Sequence, residues 1–349
     1  MLIDATLPIG IADVRATAHE LEQSGYDGLW VGETQNEPFM QLLQASEATN
    51  RVVVGASVVI AFARSPMTVA NAGYDLARYS QGRFVLGLGS QVKQHIERRF
   101  SMPWSHPAAR MREFVLALRA IWRSWDSNER LQFDGDFYRH TLMTPFFSPI
   151  RHDYGPPPIF LAGVGPKMIE VAGEVGDGFI NHGFTTNRYI REVSMPALIR
   201  GRRSAGFENL HGYTVTAPAL IAVGRDDEQI EKAAAALRTH IGFYASTPAY
   251  RSVLELHGWE ELQPELQRLA REGRWADMAG QITDEILHEV GTVGDVASVS
   301  EQLRERWGEV AERITLTVPA GSDATVLSDL VDELSSTRVP TPLIAGERG

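Results

Sequence analysis

Residues 158–182 have the sequence PIFLAGVGPKMIEVAGEVGDGFINH. The apolar run Pro158–Gly163 predicts a buried strand, and Pro166–Val175 keeps helical spacing after a proline that suits a first helical turn. Gly178–His182 predicts a second strand. A strand, a helix and a strand within so short a stretch are typical of a parallel βαβ unit.

The same alternation extends over most of the chain. Further strands are predicted over Leu2–Leu7, Gly28–Glu33, Val52–Val59, Arg83–Gly89, Tyr213–Val223 and Arg313–Val318. Further helices are predicted over Asp13–Ser24, Pro38–Ala48, 66–80, Pro107–Trp125, Arg188–Ala205, Asp226–Ile241, a stretch from 295 and 324–335. Eight strands that alternate with helices predict an α/β protein, a (β/α)8 TIM barrel with a helical insertion before the last strand. A doubly wound parallel sheet is the alternative.

The chain of 349 residues is predicted to form one domain over residues 1–336. Barrels of this class often exceed 250 residues as a single domain. Insertions are expected at about 126–157 and 242–290, where they would shape a substrate pocket. Residues 337–349 are expected to form a flexible tail.

Composition and charge exclude several classes of function. The net charge of −11 argues against nucleic acid as the main partner, and the lack of cysteine excludes disulfides and cysteine-ligated zinc. No metal-binding spacing is present. Met1–Glu22 has neither the basic start nor the apolar run of a secretory signal, and no run is long enough to span a membrane. We expect a cytoplasmic protein that acts on small molecules.

In a barrel the active site lies at the C-terminal ends of the strands. Ala162–Pro166 is such an end, and its small residues followed by a helix N-terminus predict a phosphate cradle; the alternative is a tight turn that needs glycine. Gly87–Gln91 resembles the start of a dinucleotide fingerprint, but Val92 replaces the third glycine, so we reject that motif. Gly89 and Ser90 remain candidates for packing against a cofactor edge.

Several charged and polar residues also follow predicted strands. Glu33 is a candidate for bonding a ring nitrogen or for proton transfer, and His182 for an acid, a base or a substrate donor. Basic candidates for binding phosphate or carboxylate groups are Arg64, Lys93, Arg98 and Arg99. The alternatives are a solvated loop acid, a structural histidine and charged helix faces.

Five segments together carry a resemblance to a known family. They are Gly25–Val31, Val54–Val58, Ala61–Met67, Gly82–Gly89 and Ala172–Phe179. In this order and spacing the chain resembles the bacterial-luciferase-like flavin and deazaflavin oxidoreductases. Within this luciferase-like monooxygenase superfamily it is most similar to the actinobacterial branch that uses the deazaflavin coenzyme F420.

The resemblance implies a cofactor site and a quaternary structure. The cofactor would be coenzyme F420, with FMN as the alternative, and the protein would be a homodimer. A non-proline cis peptide is implied at Ser57-Val58, behind the central ring of the cofactor. Cofactor contacts are implied at Glu33, Ser57, Val58, Gly89 and Ser90. The implied phosphate loop consists of Ala162, Gly163, Val164 and Gly165.

Two departures from the family pattern bear on the substrate. The sugar-phosphate and alcohol dehydrogenases of the family have a histidine where this chain has Thr34, and their glutamate after the fourth strand is missing from Gln91–Lys93. A glucose-6-phosphate dehydrogenase is therefore not expected. The prediction is an F420-dependent oxidoreductase that transfers hydride between the deazaflavin C5 and a small organic substrate, with Glu33 and His182 as catalytic residues. The alternatives are an FMN-dependent monooxygenase and a non-catalytic barrel that binds a ligand.

Overall fold

The computed structural model describes residues 1–7, 13–127, 129–319 and 322–336. The strands in these residues are β1 (Leu2–Thr6), β2 (Gly28–Val31), β3 (Val53–Ala56), β4 (Val59–Ile60), β5 (Phe84–Gly89), β6 (Phe133–Asp134), β7 (Arg139–His140), β8 (Ile159–Gly163), β9 (Gly178–Asn181), β10 (Thr214–Val223), β11 (Thr292–Gly294) and β12 (Arg313–Thr317).

The helices in the same ranges are α1 (Val14–Gln23), α2 (Pro38–Ala48), α3 (Pro66–Tyr79), α4 (Lys93–Arg98), α5 (Pro107–Ser127), α6 (Pro166–Val175), α7 (Asn187–Tyr189), α8 (Met195–Ser204), α9 (Asp227–Ala245), α10 (Arg251–His257), α11 (Leu262–Arg271), α12 (Trp275–Ala279), α13 (Asp284–Val290), α14 (Val296–Trp307) and α15 (Ala324–Ser336). Single 3-10 turns cover Ala61–Ala63, Pro145–Phe147 and Pro248–Tyr250, and a π-helical turn covers Ile190–Ser194.

Helix boundaries follow capping signals that the sequence contains. α3 begins after Ser65, whose side chain accepts the backbone N–H of Thr68, and Pro66 occupies its first turn. The predicted bounds of two helices, Pro38–Ala48 and Pro166–Val175, agree with α2 and α6 in the structure. Both begin at a proline, which has no backbone N–H to leave unpaired at a helix start.

The chain divides into two compact units. Unit 2 comprises Asp4–His182 and Val193–Asn209. Its parallel strands follow the order β1-β2-β3-β5-β8-β9, and β4 also pairs with β5. Its interior is apolar, with Trp30 packed among Val85, Phe160 and Ile180.

Unit 1 comprises the described residues within Met1–Ile3, Gly183–Glu192 and Leu210–Gly349. Its parallel strands follow the order β11-β10-β12. Helix α9 packs on β10 and also contacts α11, α12 and α13. The predicted insertion at 242–290 is therefore helical and comes before the last strand, as expected.

The strands and helices of the described residues follow the predicted alternation. Eight parallel strands (β1, β2, β3, β5, β8, β9, β10 and β12) are each followed along the chain by at least one helix. This is the order of elements of a (β/α)8 barrel, so the predicted fold class is confirmed.

Several predicted elements differ in detail. Val52–Val59 was expected to be one strand, but the structure has β3 and β4 with the peptide Ser57-Val58 between them. Arg188–Ala205 was expected to be one helix, and the structure has α7, a π-helical turn and α8. The insertion expected at about 126–157 contains the antiparallel hairpin β6–β7. The tail at 337–349 lies outside the described residues.

Candidate functional site

The predicted site residues of unit 2 follow strand ends at one edge of its sheet. Ile60 pairs with Gly89, and Gly163 pairs with Asn181, in parallel registers. Because parallel strands end at the same edge, the loops that follow them share that edge. The segments at this edge contain Glu33, Ser57, Val58, Arg64, Ser90, Lys93, Val164, Gly165 and His182, and Gly89, Ala162 and Gly163 are the last residues of β5 and β8.

The peptide bond between Ser57 and Val58 is cis, as the resemblance implied. The Val58 carbonyl accepts the backbone N–H of Glu33 at 3.2 Å, which joins the loops after β2 and β3. A Cβ on Gly89 would lie 2.6 Å from Cγ2 of Val58, so a larger residue would not fit there. Glu33, Val58 and Gly89 therefore form one contact group at the sheet edge.

Trp30 is buried in the apolar cluster against which Val58 of this contact group packs. Its Nε1 donates to Oδ2 of the buried Asp4 at 2.8 Å. A Cβ on Gly55 would lie 2.4 Å from the Trp30 ring, so the room that this glycine leaves on β3 is filled by the indole. Val58 and Ala162 pack against the same apolar cluster and are only partly buried. A flat ligand can therefore contact Val58 and Ala162, but the Trp30 ring leaves no room for it beside Gly55.

The loop Ala162–Gly165 leads into the N-terminus of α6, where no side chain caps the helix. The Gly165 carbonyl accepts the N–H groups of Met168 and Ile169 at 3.0 and 3.2 Å. A Cβ on Gly163 would lie 2.7 Å from Cγ of Met168, whereas a Cβ on Gly165 would meet no atom within 4 Å. A helix N-terminus attracts anions through its free N–H groups and its dipole, and the space beside Gly165 is open to one.

Glu33 and Arg64 are bonded to each other, although they were predicted from separate segments. Nη1 of Arg64 lies 2.9 and 2.6 Å from the two carboxylate oxygens of Glu33, and the side chains are 17% and 6% exposed. The Ile60 N–H also donates to Glu33 at 2.7 Å, and Arg64 forms a second ion pair with Glu37. Glu33 is thus a fixed carboxylate, and two carboxylates offset the charge of Arg64.

Ser90 and Lys93 follow β5 in different surroundings. Oγ of Ser90 donates to the carbonyl of Gln91 at 3.1 Å. The Lys93 side chain is 64% exposed, and its Nζ lies 3.8 Å from a carboxylate oxygen of Glu97 on the next helical turn. Ser90 thus follows Gly89 directly after β5, whereas the side chain of Lys93 lies on the exposed surface of α4.

His182 is half-buried and directly follows Asn181 at the end of β9. Because Asn181 pairs with Gly163, the backbone of His182 lies next to the end of β8, where the loop Ala162–Gly165 leaves the sheet. The register thus brings His182 and the predicted phosphate loop to neighbouring positions.

The segment after β5 was not predicted to form part of the site. Three of its residues other than glycine have positive φ angles, Gln91 at 59°, Ser101 at 54° and His106 at 40°. Arg99 of this segment donates to the carbonyl of Thr34 in the loop after β2. Such backbone conformations are concentrated at ligand sites, and the segment lies against a loop of the candidate site.

Arg110 is a second residue that the sequence interpretation missed. It is buried, its Nε donates to the Tyr138 hydroxyl at 2.8 Å, and its Nη1 donates to the Pro103 carbonyl at 2.6 Å. Its guanidinium lies 4.5 Å from the centre of the Phe62 ring. Burial raises the pKa of Tyr138, although the donation from Arg110 acts in the opposite direction. A signal was available, because helical spacing puts Arg110 on the apolar face of α5 with Phe114.

Two surface pockets lie along α9 in unit 1. Their volumes are about 250 and 460 Å³, and Ala236 and Pro319 line both. Phe243 and Trp275 line the larger pocket, so the 242–290 stretch contributes aromatic rings to it. Burial raises the pKa of Tyr250, in the same stretch, to about 12. A substrate pocket shaped by this stretch stays a prediction.

In the residues that the structure describes, no three histidine, aspartate or glutamate side chains are placed to hold a metal ion together. None of the helices in those residues has the length and apolar character that crossing a membrane requires.

The model of the luciferase-like monooxygenase family matches residues 3–311. The chain belongs to the luciferase-like monooxygenase family. An uncharacterised protein of Mycobacterium tuberculosis is 46% identical to this luciferase-like protein over 330 residues, 95% of this chain and 97% of that one. The 5,10-methylenetetrahydromethanopterin reductase of Archaeoglobus fulgidus is 27% identical over 309 residues, 86% of each chain.

The luciferase-like fold is shared with solved structures. The coenzyme F420 dependent tetrahydromethanopterin reductase of Methanopyrus kandleri superposes with a TM-score of 0.78 at 17% identity, over 95% of this chain and 96% of that chain. At this identity the likeness shows the fold alone, and it agrees with the barrel class. The family and its named relatives are enzymes of oxidation and reduction, and this luciferase-like protein is an oxidoreductase.

Proposed function

We propose that this protein is a coenzyme F420-dependent oxidoreductase that transfers hydride between the deazaflavin C5 and a small organic substrate. The observation that carries the proposal is the open, uncapped helix N-terminus at Gly165, on the same sheet edge as the contact group of Glu33, Val58 and Gly89. The F420-dependent glucose-6-phosphate dehydrogenase of Intrasporangium calvum, which is 30% identical over 196 residues or 52% of this chain, supports the choice of cofactor.

The residues present fit a flat cofactor that bears a phosphate. A Cβ would fill the space beside Gly165, which suits a phosphate that approaches the backbone closely. The ring system would lie against the Ser57-Val58 peptide, with Gly89 and Ser90 at its edge. When bound, the deazaflavin supplies the hydride chemistry at its C5. The protein supplies position and shields the reacting atoms from water.

Glu33 and His182 are the residues proposed to hold or move a proton. Arg64 and the Ile60 N–H fix the Glu33 carboxylate, so it can bond a ring nitrogen without a change of rotamer. Arg64 would act through Glu33, since its own charge is already offset. Lys93 is exposed and would take the acidic tail of the cofactor.

The cofactor assignment is tested by titrating deazaflavin into the full-length protein. The seven tryptophans provide the fluorescence signal, and we expect saturable quenching by the oxidised form. Absence of quenching by both the oxidised and the reduced forms would contradict the proposal.

A reduced-FMN monooxygenase is the second candidate, and the description of the matching family favours it. The same strand ends would hold the flavin, so the two functions differ in cofactor and co-substrate. The mass and absorption spectrum of the cofactor retained on purification separate them. Oxygen consumption with reduced FMN would favour the monooxygenase. The homodimer and the cytoplasmic location stay predictions.

A further inference from the structure

The loop after β9 continues directly from His182 to α7 and comprises residues Gly183–Thr186, called the β9 loop. Its last residue, Thr186, is fully buried and caps α7, since its Oγ1 accepts the Tyr189 N–H at 3.0 Å. The same oxygen lies 2.9 Å from Nε2 of His257, at the end of α10. The β9 loop is thus fixed at one end by β9 and at the other by a histidine of a distant helix.

Two tyrosines of the helical insertion also lie against the β9 loop. A Cβ on Gly183 would lie 3.4 Å from Cε2 of Tyr244, and the centroids of the Phe184 and Tyr250 rings are 6.4 Å apart. Burial raises the pKa of both tyrosines, to about 12 for Tyr250, so neither changes its charge near neutral pH. Of the two tyrosines and His257, only the histidine can change its charge in that range.

The surroundings of His257 favour its neutral form. Its side chain is 7% exposed, and its ring stacks on Trp259 with centroids 4.5 Å apart. Burial lowers the pKa of His257 below its ordinary value of about 6.5, although three nearby carboxylates act in the opposite direction. The charged groups that face it are Glu285 and Glu289 of α13, Glu192 of the π-helical turn and Arg188 of α7.

Protonation changes which groups His257 can bond. In the neutral imidazole Nε2 can accept the Thr186 hydroxyl, while the hydroxyl oxygen accepts the Tyr189 N–H. The charged imidazole has no acceptor, so the buried hydroxyl would lose this partner for its hydrogen. Nε2 also lies 3.9 Å from a carboxylate oxygen of Glu289, which attracts the charged form. His257 therefore has one partner on the β9 loop when neutral and another on α13 when charged.

We propose that His257 is a positioning residue: through Thr186 it holds the β9 loop, and with it the backbone of His182, and it releases this hold when its imidazole is protonated. The inference rests on the proposed function, in which His182 holds or moves a proton. Because the folded pKa of His257 lies below the unfolded value, the hold is complete above about pH 6.5 and is lost as the pH falls through the folded pKa.

Hydrogen–deuterium exchange of the full-length protein tests the hold on the β9 loop without cofactor or substrate. Wild type and His257→Gln are compared at the same pH, from about pH 8 to about pH 5, so the intrinsic effect of pH on exchange cancels. Glutamine keeps an acceptor for the Thr186 hydroxyl and does not titrate. Peptides from the β9 loop and α7 should exchange equally at pH 8, and at pH 5 at least about 10-fold faster in the wild type.

The control is His288→Gln, which changes an exposed histidine of α13 and should behave as the wild type at every pH. Glu289→Gln removes the partner of the charged form, so it should reduce the acceleration of exchange at pH 5. Equal exchange of wild type and His257→Gln at pH 5, or an effect of His288→Gln as large as that of His257→Gln, would overturn the proposal.

The effect on His182 is measured by NMR of the imidazoles in protein with isotope-labelled histidine. The signals lost in His257→Gln and in His182→Asn identify the two residues. We expect the His182 signal to shift with the midpoint of His257 in the wild type and to lose that step in His257→Gln. A His182 signal that titrates identically in both proteins would overturn the positioning role. A failure to bind deazaflavin counts against the proposed function alone, so the two failures are distinguished.

Discussion

The three glycines of the candidate site differ in whether packing requires them. At Gly89 and Gly163, a Cβ would lie 2.6 and 2.7 Å from a neighbouring side chain, so packing alone accounts for glycine. Gly165 has an ordinary φ of −77°, and its Cβ would meet nothing within 4 Å. Of the three, Gly165 alone is free of a packing requirement, and its open side is the space that a bound phosphate would use.

Gly165→Ala should separate cofactor binding from stability. The added methyl fits the folded protein and reduces the freedom of the unfolded chain, but alanine is a poorer N-cap for α6 than glycine, so the free energy of unfolding should change by no more than about 1 kcal/mol. The deazaflavin dissociation constant should increase about 10-fold or more, because the methyl occupies the phosphate space. Tryptophan quenching measures the affinity. Gly280→Ala, where a Cβ has its nearest neighbour at 3.4 Å, is the control and should bind normally. Equal affinities would contradict the placement of the phosphate.

Variants of Glu33 and Glu37 separate the proposed proton role of Glu33 from the ion pairs that both residues form with Arg64. Both carboxylates bond Arg64, but the Glu33 side chain is 6% exposed and the Glu37 side chain is 40% exposed. Only Glu33 also accepts the Ile60 N–H and bonds through its own N–H to Val58. Removal of either carboxylate takes one partner from Arg64, and only removal of Glu33 takes a carboxylate from the contact group.

Glu33→Gln should lower kcat by about 100-fold or more and remove one limb of the pH–rate profile, with little change in deazaflavin affinity. Glu37→Gln should leave kcat within a few-fold and cost about 0–1 kcal/mol of stability, as expected for an exposed ion pair. Steady-state kinetics with reduced or oxidised deazaflavin measure both variants. If the two changes reduce kcat equally, Glu33 acts only as a structural partner of Arg64.

At the scale of secondary-structure elements, the sequence correctly predicted helices whose first and last residues are set by local sequence signals. α2 and α6 have the expected bounds because a proline occupies the first position of each helix, where its missing N–H costs no helical hydrogen bond. The predicted strand Val52–Val59 is interrupted at Ser57, and hydrophobic periodicity contains no information about the geometry of a peptide bond. The resemblance to a family, and not the pattern of residues, supplied the cis peptide.

The elements that the sequence did not predict depend on distant partners. The turn of the hairpin β6–β7 is held by the Glu113 carboxylate of α5, which accepts the N–H groups of Asp136, Phe137 and Tyr138. These three residues follow Glu113 by more than twenty positions in the sequence. β11 is three residues long and pairs with the end of β10. Local propensity is weak in such short stretches, so tertiary contacts decide their conformation.

Glu22 joins α1 to the start of β3 and should make stability depend on pH. Burial acts to raise the pKa of its carboxyl, but the N–H groups of Arg51, Val52 and Asn50 outweigh this effect, so its pKa lies below the ordinary value. A carboxyl with a lowered folded pKa stabilises the protein above its unfolded pKa of about 4.3, and the stabilisation is lost as the pH falls through the folded pKa.

Glu22→Gln should therefore destabilise the protein at pH 7 by about 1.5–3 kcal/mol, the range for hydrogen bonds to a charged group. The difference from wild type should shrink as the pH falls below about 4. Urea unfolding at several pH values measures both effects. Glu20→Gln, on the exposed side of the same helix, should change neither. A difference from wild type that stays constant down to pH 3 would contradict this account.

At the scale of the whole molecule, the fold was easier to predict than the site. Hydrophobic alternation is repeated eight times, so an error in one element does not change the fold class. The site is assembled from loops far apart in the sequence, and spacing does not reveal that Arg64 bonds Glu33 or that Val58 fills the space above Gly89. These pairings depend on side-chain positions that only the folded chain fixes. The structure divides into two compact units, and the single domain over residues 1–336 stays a prediction.

Binding of the correct cofactor should stabilise the whole protein. A ligand that binds only the folded state at 100 times its dissociation constant adds about 2.7 kcal/mol. With an unfolding entropy of roughly 2.1 cal/mol/K per residue, a chain of 349 residues should then show a rise in Tm of about 4 °C. At the same concentration, Gly165→Ala with a 10-fold weaker affinity should gain only about 2 °C. Differential scanning fluorimetry with deazaflavin and FMN in parallel measures these shifts. A larger shift with FMN would favour the monooxygenase, and equal shifts for wild type and Gly165→Ala would show that the phosphate does not lie beside Gly165.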